Sequence, residues 1–130
     1  MPIKPLIAVV EDDESVREAT VGLLRSNNFI AKGFSSAEQF LSSPRLHITS
    51  CLIADVQMPG MSGLALYGKL VARGTPIPTI LITAHPQETV RARAISAGVA
   101  GYLSKPFSEK ELLDCVGAAF GRVVLLAPRN

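Results

Sequence analysis

Apolar positions along this chain fall into two alternating kinds of pattern. Leu6–Val10 and Cys51–Ala54 are unbroken apolar runs, and Pro78–Ile82 is nearly so. They are too short for buried helices and suit strands covered on both faces. Phe29–Phe34 is a less apolar second strand, and Gly101–Leu103 a short fifth. Between the strands the spacing turns helical. The first helical stretch carries Val16, Thr20, Leu23, Leu24 and Asn27 on one face and Arg17, Glu18 and Arg25 on another, and Asn27-Asn28 ends it. Ser35-Ser36-Ala37-Glu38 has the Ser-x-x-Glu spacing of a capping box, opening a short helix through Phe40 and Leu41. Pro44–Ser50 is expected as a loop. The turn Met58-Pro59-Gly60-Met61-Ser62-Gly63 leads to a helix with Leu66, Leu70 and Val71, closed by Gly74 and two prolines. Gln87–Ala97 makes a fourth helix, with Val90, Ala94 and Ala97 inward and Gly98 as C-cap. Ser108-Glu109-Lys110-Glu111 is a second capping box, starting a helix through Leu112, Leu113, Val116, Ala119 and Phe120.

Strand and helix thus alternate five times. That order predicts an α/β fold: a doubly wound, open, five-stranded parallel sheet with helices on both faces and right-handed crossovers. Such folds place their chemistry at the carboxyl ends of the strands, near a switch in strand order.

Composition narrows the class. At 130 residues the chain has room for one core, and 48% of it is apolar, which argues against disorder. Its 13 basic and 11 acidic residues leave a formal charge of +2, with no Lys/Arg run to form a nucleic-acid surface. Cys51 and Cys115 lack metal-like or Cys-x-x-Cys spacing and are expected as reduced thiols. With no signal-peptide layout at Met1-Pro2-Ile3-Lys4-Pro5 and no apolar run of about 20 residues to span a bilayer, a cytoplasmic protein is expected.

The strand ends carry the chemistry. Strand one ends on Glu11 and Asp12, strand three on Asp55, strand four on Thr83 and strand five on Lys105, whereas strand two ends on Phe34. Three carboxylates gathered at one rim repel one another, and a hard cation resolves the conflict. Mg²⁺ (or Mn²⁺) suits an all-oxygen donor set that shares its ligands with water and phosphate. Lys105 adds a point charge for Asp55 or a phosphate, and Thr83 a hydroxyl donor. Together these are the parts of a phosphoryl-transfer site with a carboxylate nucleophile. Singly each has a plainer role: Glu11–Glu14 as compensation of a helix dipole, Thr83 as a structural hydroxyl, Lys105 as a solvated charge. Their joint occurrence at one sheet edge is what favours chemistry.

Val9-Val10-Glu11-Asp12, Asp55 through Gly63, Ile82-Thr83-Ala84 and Lys105-Pro106-Phe107 occur in the order and at the spacing of one family. Over residues 5 to about 122 the chain resembles the receiver domains of two-component response regulators. The resemblance implies a CheY-like fold with strand order 2-1-3-4-5 and phosphorylation by a sensor histidine kinase. It implies Asp55 as phosphoacceptor, Glu11 and Asp12 as the acid pair for Mg²⁺, and the Gln57 backbone carbonyl as a further metal ligand. Thr83 matches the switch hydroxyl, Lys105 the phosphate-binding lysine, Tyr102 the switch aromatic, and Lys105-Pro106 a cis peptide. Glu11 departs from the commoner Asp, which alters the metal shell rather than the assignment. Thr83 moving toward a phosphoryl oxygen would vacate space for Tyr102 and alter the helix 4–strand 5–helix 5 face. Gln57 and His85, two residues beyond Asp55 and Thr83, stand where side chains orient or block the water that hydrolyses an acyl phosphate. The chain is then a signalling switch that promotes only its own phosphoryl transfer and dephosphorylation.

Phe34–Leu41 and Thr83-Ala84-His85 resemble receivers of the FixJ/NarL type, which carry a C-terminal DNA-binding domain. Residues 1–122 are expected as the receiver and 123–130 as a tail or the start of a linker, so the chain is either a stand-alone receiver or a fragment whose DNA-binding domain is missing. Direct nucleic-acid or membrane binding is not expected; a homodimer through helix 4 and strand 5 on phosphorylation is. Three rivals fit less well. A haloacid dehalogenase-type phosphatase wants Asp-x-Asp on strand one, a flavodoxin-like module wants a Ser/Thr/Gly phosphate loop there, and a degenerate receiver would lack some of these residues.

Overall fold

The computed structural model describes residues 5–126. Five strands alternate with five helices: β1 Leu6–Val10, α1 Glu14–Ser26, β2 Ile30–Phe34, α2 Ala37–Leu41, β3 Thr49–Asp55, α3 Gly63–Ala72, β4 Thr79–Thr83, α4 Glu88–Ala97, β5 Gly101–Ser104 and α5 Glu109–Leu126. All strand pairs are parallel, in the order β2-β1-β3-β4-β5. The order reverses at β1, between β2 and β3, which opens a crevice beyond the ends of β1 and β3.

Strand alternation sends side chains to two cores. Ala8, Val10, Leu52, Ala54 and Leu81 face one side, packed under Phe34, Phe40, Leu66 and Leu70. Ile7, Val9, Ile53, Ile80 and Ile82 face the other, under Val21, Leu24, Leu112 and Val116. A sheet buried on both faces explains why its central strands are apolar without alternation.

Several local expectations shift. The segment Pro44–Ile48 is a short 3₁₀ helix capped by Ser43, and β3 begins at Thr49. The first capping box sits one residue later than expected. Ser36 Oγ accepts from Gln39 N at 3.0 Å, and Gln39 Oε1 accepts from Ser35 N at 2.6 Å. The second box is reciprocal as expected, with Glu111 N donating to Ser108 Oγ at 3.0 Å and Ser108 N to Glu111 Oε1 at 2.9 Å. In α1, Val21 joins the core and Asn27 is exposed, because Asn27 is the C-cap and not a helical position. In α4, Ala94 alone is buried, Val90 is half-buried, and Ala97 faces solvent, because this helix lies against the sheet along a single narrow stripe. Gly98 terminates it at φ +101°, a conformation costly for any residue with a Cβ.

Helix α5 continues past Arg122 to Leu126, so helical backbone runs into the segment expected as a tail. Residues 127–130 of that segment lie outside the described residues. Cys51 and Cys115 are free thiols. Among the described residues no helix is long and apolar enough to cross a membrane.

Candidate functional site

Backbone bonds carry the sheet's order one residue beyond the strands. Glu11 N donates to Phe34 O at 3.0 Å, Val56 N to Ile82 O at 2.8 Å, and Lys105 N to Thr83 O at 2.7 Å. Asp55, Thr83 and the residues just past β1 and β5 are therefore held on rigid backbone rather than on loops. Close packing underneath adds to this. A Cβ at Gly63 would lie 2.5 Å from the carbonyl oxygen of Asp55, so only glycine lets α3 start so near the end of β3. The acidic cluster divides by role. Asp13 caps α1 by accepting from Val16 N at 3.0 Å, leaving Glu11 and Asp12 to the crevice.

Glu11, Asp12 and Asp55 each offer a carboxylate oxygen, all within 4.8 Å of one another. Glu11 is 1% exposed and Asp55 4%, whereas Asp12 faces solvent. Lys105 Nζ donates to Glu11 Oε1 and to Asp55 Oδ2, both at 2.6 Å. Asp55 Oδ1 accepts from Gln57 N at 2.8 Å. Burial pushes the Glu11 carboxyl up to about 7; the neighbouring Asp55 adds to the rise, against the lowering pull of Lys105. Burial lowers the Lys105 ammonium, but the bonds to Asp55 and Glu11 outweigh it and leave its pKa raised. One ammonium against three carboxylates leaves surplus negative charge on an oxygen-only donor set, open to solvent at Asp12. That chemistry fits a hard divalent cation such as Mg²⁺.

Thr83, fully buried, donates from Oγ1 to Gln57 Oε1 at 2.6 Å and accepts from His85 N at 3.0 Å. The side chains of Gln57 and His85 are both on the solvent side. Tyr102 lies on β5, the edge strand beyond β4. It pairs in register with Leu81 and packs on the core beneath α3 and α4, and its hydroxyl is buried without a hydrogen-bond partner among the described residues. The Lys105-Pro106 peptide is cis.

Two features were not visible in the sequence. Arg17, expected on a different face of α1 from Val16 and Leu24, is half-buried and donates to the Glu11 carbonyl at 2.9 Å. Its stem crosses Gly33, where a Cβ would meet it at 3.0 Å. A glycine inside β2 opposite a long α1 residue was the available sign. The second is an apolar groove of about 610 Å³ beside Lys105, lined by Val16, Ala19 and Leu23 of α1 and by Ala84, Pro106 and Phe107.

Residues 7–117 match the family model described as the response regulator receiver domain. The chain is 42% identical to nodulation protein W of Bradyrhizobium diazoefficiens over 92% of its own length and 52% of that protein. It is 35% identical to the transcriptional regulatory protein FixJ of Azorhizobium caulinodans, over 94% of this chain and 58% of FixJ. The solved structure of response regulator StyR superposes with a TM-score of 0.85 at 42% identity, covering 92% of this chain and 61% of StyR. The chain therefore spans little more than half the length of these two curated relatives.

Proposed function

The chain belongs to the response regulator receiver domain family of two-component signalling, whose members here include transcriptional regulators, and from that membership we propose that Asp55 accepts a phosphoryl group from a sensor histidine kinase. The observation that carries this reading is Lys105 Nζ bridging Glu11 and Asp55 at 2.6 Å, with Asp12 beside them. An oxygen of the Asp55 carboxylate attacks the phosphorus of a phosphohistidine. The P–N bond breaks, its electron pair stays on the imidazole, and an acyl phosphate forms on Asp55. Lys105, already seated against the nucleophile, pairs with the anionic oxygens of the transferring group. Glu11, Asp12, Asp55 and the Gln57 carbonyl would hold Mg²⁺ (or Mn²⁺), which supplies charge neutralisation to that group. Thr83 then donates its hydroxyl to a phosphoryl oxygen, and Tyr102 follows into the vacated space, altering the α4–β5–α5 face.

The kinase's histidine-bearing surface docks in the groove beside Lys105, where apolar side chains from α1 flank the site. The chain acts in the cytoplasm and promotes only its own phosphorylation and dephosphorylation; any DNA binding belongs to a domain outside it. Incubation with Mg²⁺ and acetyl phosphate, followed by intact mass, tests the core of this reading. Wild type gains one phosphoryl mass and Asp55→Asn gains none; equal labelling of both would overturn it. Gln57 and His85 set the lifetime of that label by orienting or blocking water. Gln57→Ala and His85→Ala are expected to change the rate of label loss, and unchanged half-lives in both refute the assignment.

A further inference from the structure

We propose that the Gln57 side chain is a latch on Thr83, its amide oxygen competing with the phosphoryl oxygens for the one proton that the Thr83 hydroxyl can donate. This rests on the reading of Asp55 as phosphoacceptor and concerns the switching equilibrium, not the attack of water.

A hydroxyl has a single hydrogen. In this structure the hydrogen of Thr83 is committed to Gln57 Oε1 at 2.6 Å, while the oxygen accepts from His85 N at 3.0 Å. Thr83 is fully buried, so no solvent stands in for either partner. A phosphoryl oxygen on Asp55 obtains the Thr83 hydrogen only by displacing the amide. Gln57 is well placed for that exchange, because its own N–H bonds Asp55 Oδ1 at 2.8 Å. One residue thus touches the acceptor through its main chain and restrains the switch hydroxyl through its side chain. The side chain lies on the solvent side, so once displaced its amide is satisfied by water. The latch is therefore weak enough to open and strong enough to bias the resting state. An ordinary hydrogen bond corresponds to about 2- to 10-fold in an equilibrium.

Beryllofluoride, which mimics the phosphoryl group and is not hydrolysed, isolates this effect. It is titrated with Mg²⁺ into wild type, Gln57→Met, Thr83→Val and the double variant, and binding is read from backbone amide shifts. Gln57→Met keeps side-chain length but lacks the amide, and its solvent-facing position leaves the core intact. The expected result is beryllofluoride binding tightened about 2- to 10-fold by Gln57→Met when Thr83 is present, and no effect of Gln57→Met in the Thr83→Val background. Unchanged or weaker binding in Gln57→Met, or the same gain without the threonine hydroxyl, overturns the latch while leaving the phosphoacceptor reading intact. A wild type that binds no beryllofluoride overturns the phosphoacceptor reading, and the latch with it.

Discussion

Cys51 shows how strongly this core acts on a single residue. It lies in β3, opposite Ile7 of β1, and is fully buried. Burial pushes its thiol up to about 12, with the nearby Cys115 adding to the rise. A thiolate is the reactive species, so native Cys51 is expected to resist an aromatic disulfide reagent at pH 8 and to react once urea unfolds the chain. The same shift has a stability consequence of definite sign. Between the ordinary thiol value of 9 and about 12 the folded state holds a proton that the unfolded state releases. Stability from this residue is therefore complete below pH 9 and declines as pH rises through that window. Urea midpoints at pH 8 and pH 10 check it: wild type loses more between the two than Cys51→Ala, so the cost of the substitution, on the order of 1–2 kcal/mol at pH 8, shrinks at pH 10. Equal losses would refute it. Asp55, Thr83 and Lys105 were legible at this scale because a parallel sheet sends every strand end to one rim. The Gln57–Thr83 bond was not, since it joins side chains 26 residues apart that share no motif.

At the scale of elements, α1 does two jobs. Its Val21 and Leu24 seal the core, and its exposed Ala19, with Val16 and Leu23, lines the groove that ends at Lys105. An arginine at Ala19 would fill the groove without touching the core. Ala19→Arg is expected to cut phosphoryl transfer from a histidine kinase at least about tenfold, the cost of one misplaced contact in an interface centre. Labelling by acetyl phosphate, which needs no docking surface, is expected to be unchanged. Loss of both activities would point to a damaged site, and loss of neither would remove the groove from the kinase interface. Element ends explain where sequence reading slipped. Ser35 and Ser36 each stand three residues before an acidic or amide side chain, Glu38 and Gln39, and spacing cannot choose between two valid caps. Ser108 has no such competitor, and its box forms where the spacing predicts it. The Pro44–Ile48 turn escaped because a 3₁₀ helix this short has no periodicity to detect.

For the whole molecule, the strand order places Asp55 and the α4–β5 face on opposite sides of Thr83. From β4, Thr83 faces the crevice, while Tyr102 on β5 packs against the core under α3 and α4. Burial is sparse on that side. Only Ala94 of α4 is buried, β5 is half-exposed, and the buried Tyr102 hydroxyl has no partner among the described residues. An unsatisfied hydroxyl costs about 1–3 kcal/mol, so the resting position of Tyr102 is not deeply favoured. If Thr83 turns toward a phosphoryl group as proposed, little free energy is needed to shift α4 and β5. The same side presents Arg91 and Ile95 of α4 to solvent, with Ile95 51% exposed. A second copy of this chain bearing the same shifted face would cover that isoleucine in a two-fold contact. Scattering in Mg²⁺ with beryllofluoride is expected to give twice the monomer mass, and Ile95→Asp is expected to hold the chain monomeric while leaving amide shifts around Asp55 responsive to the analogue. A monomer in both proteins, with the site responding normally, would mean that the switched face serves a different partner.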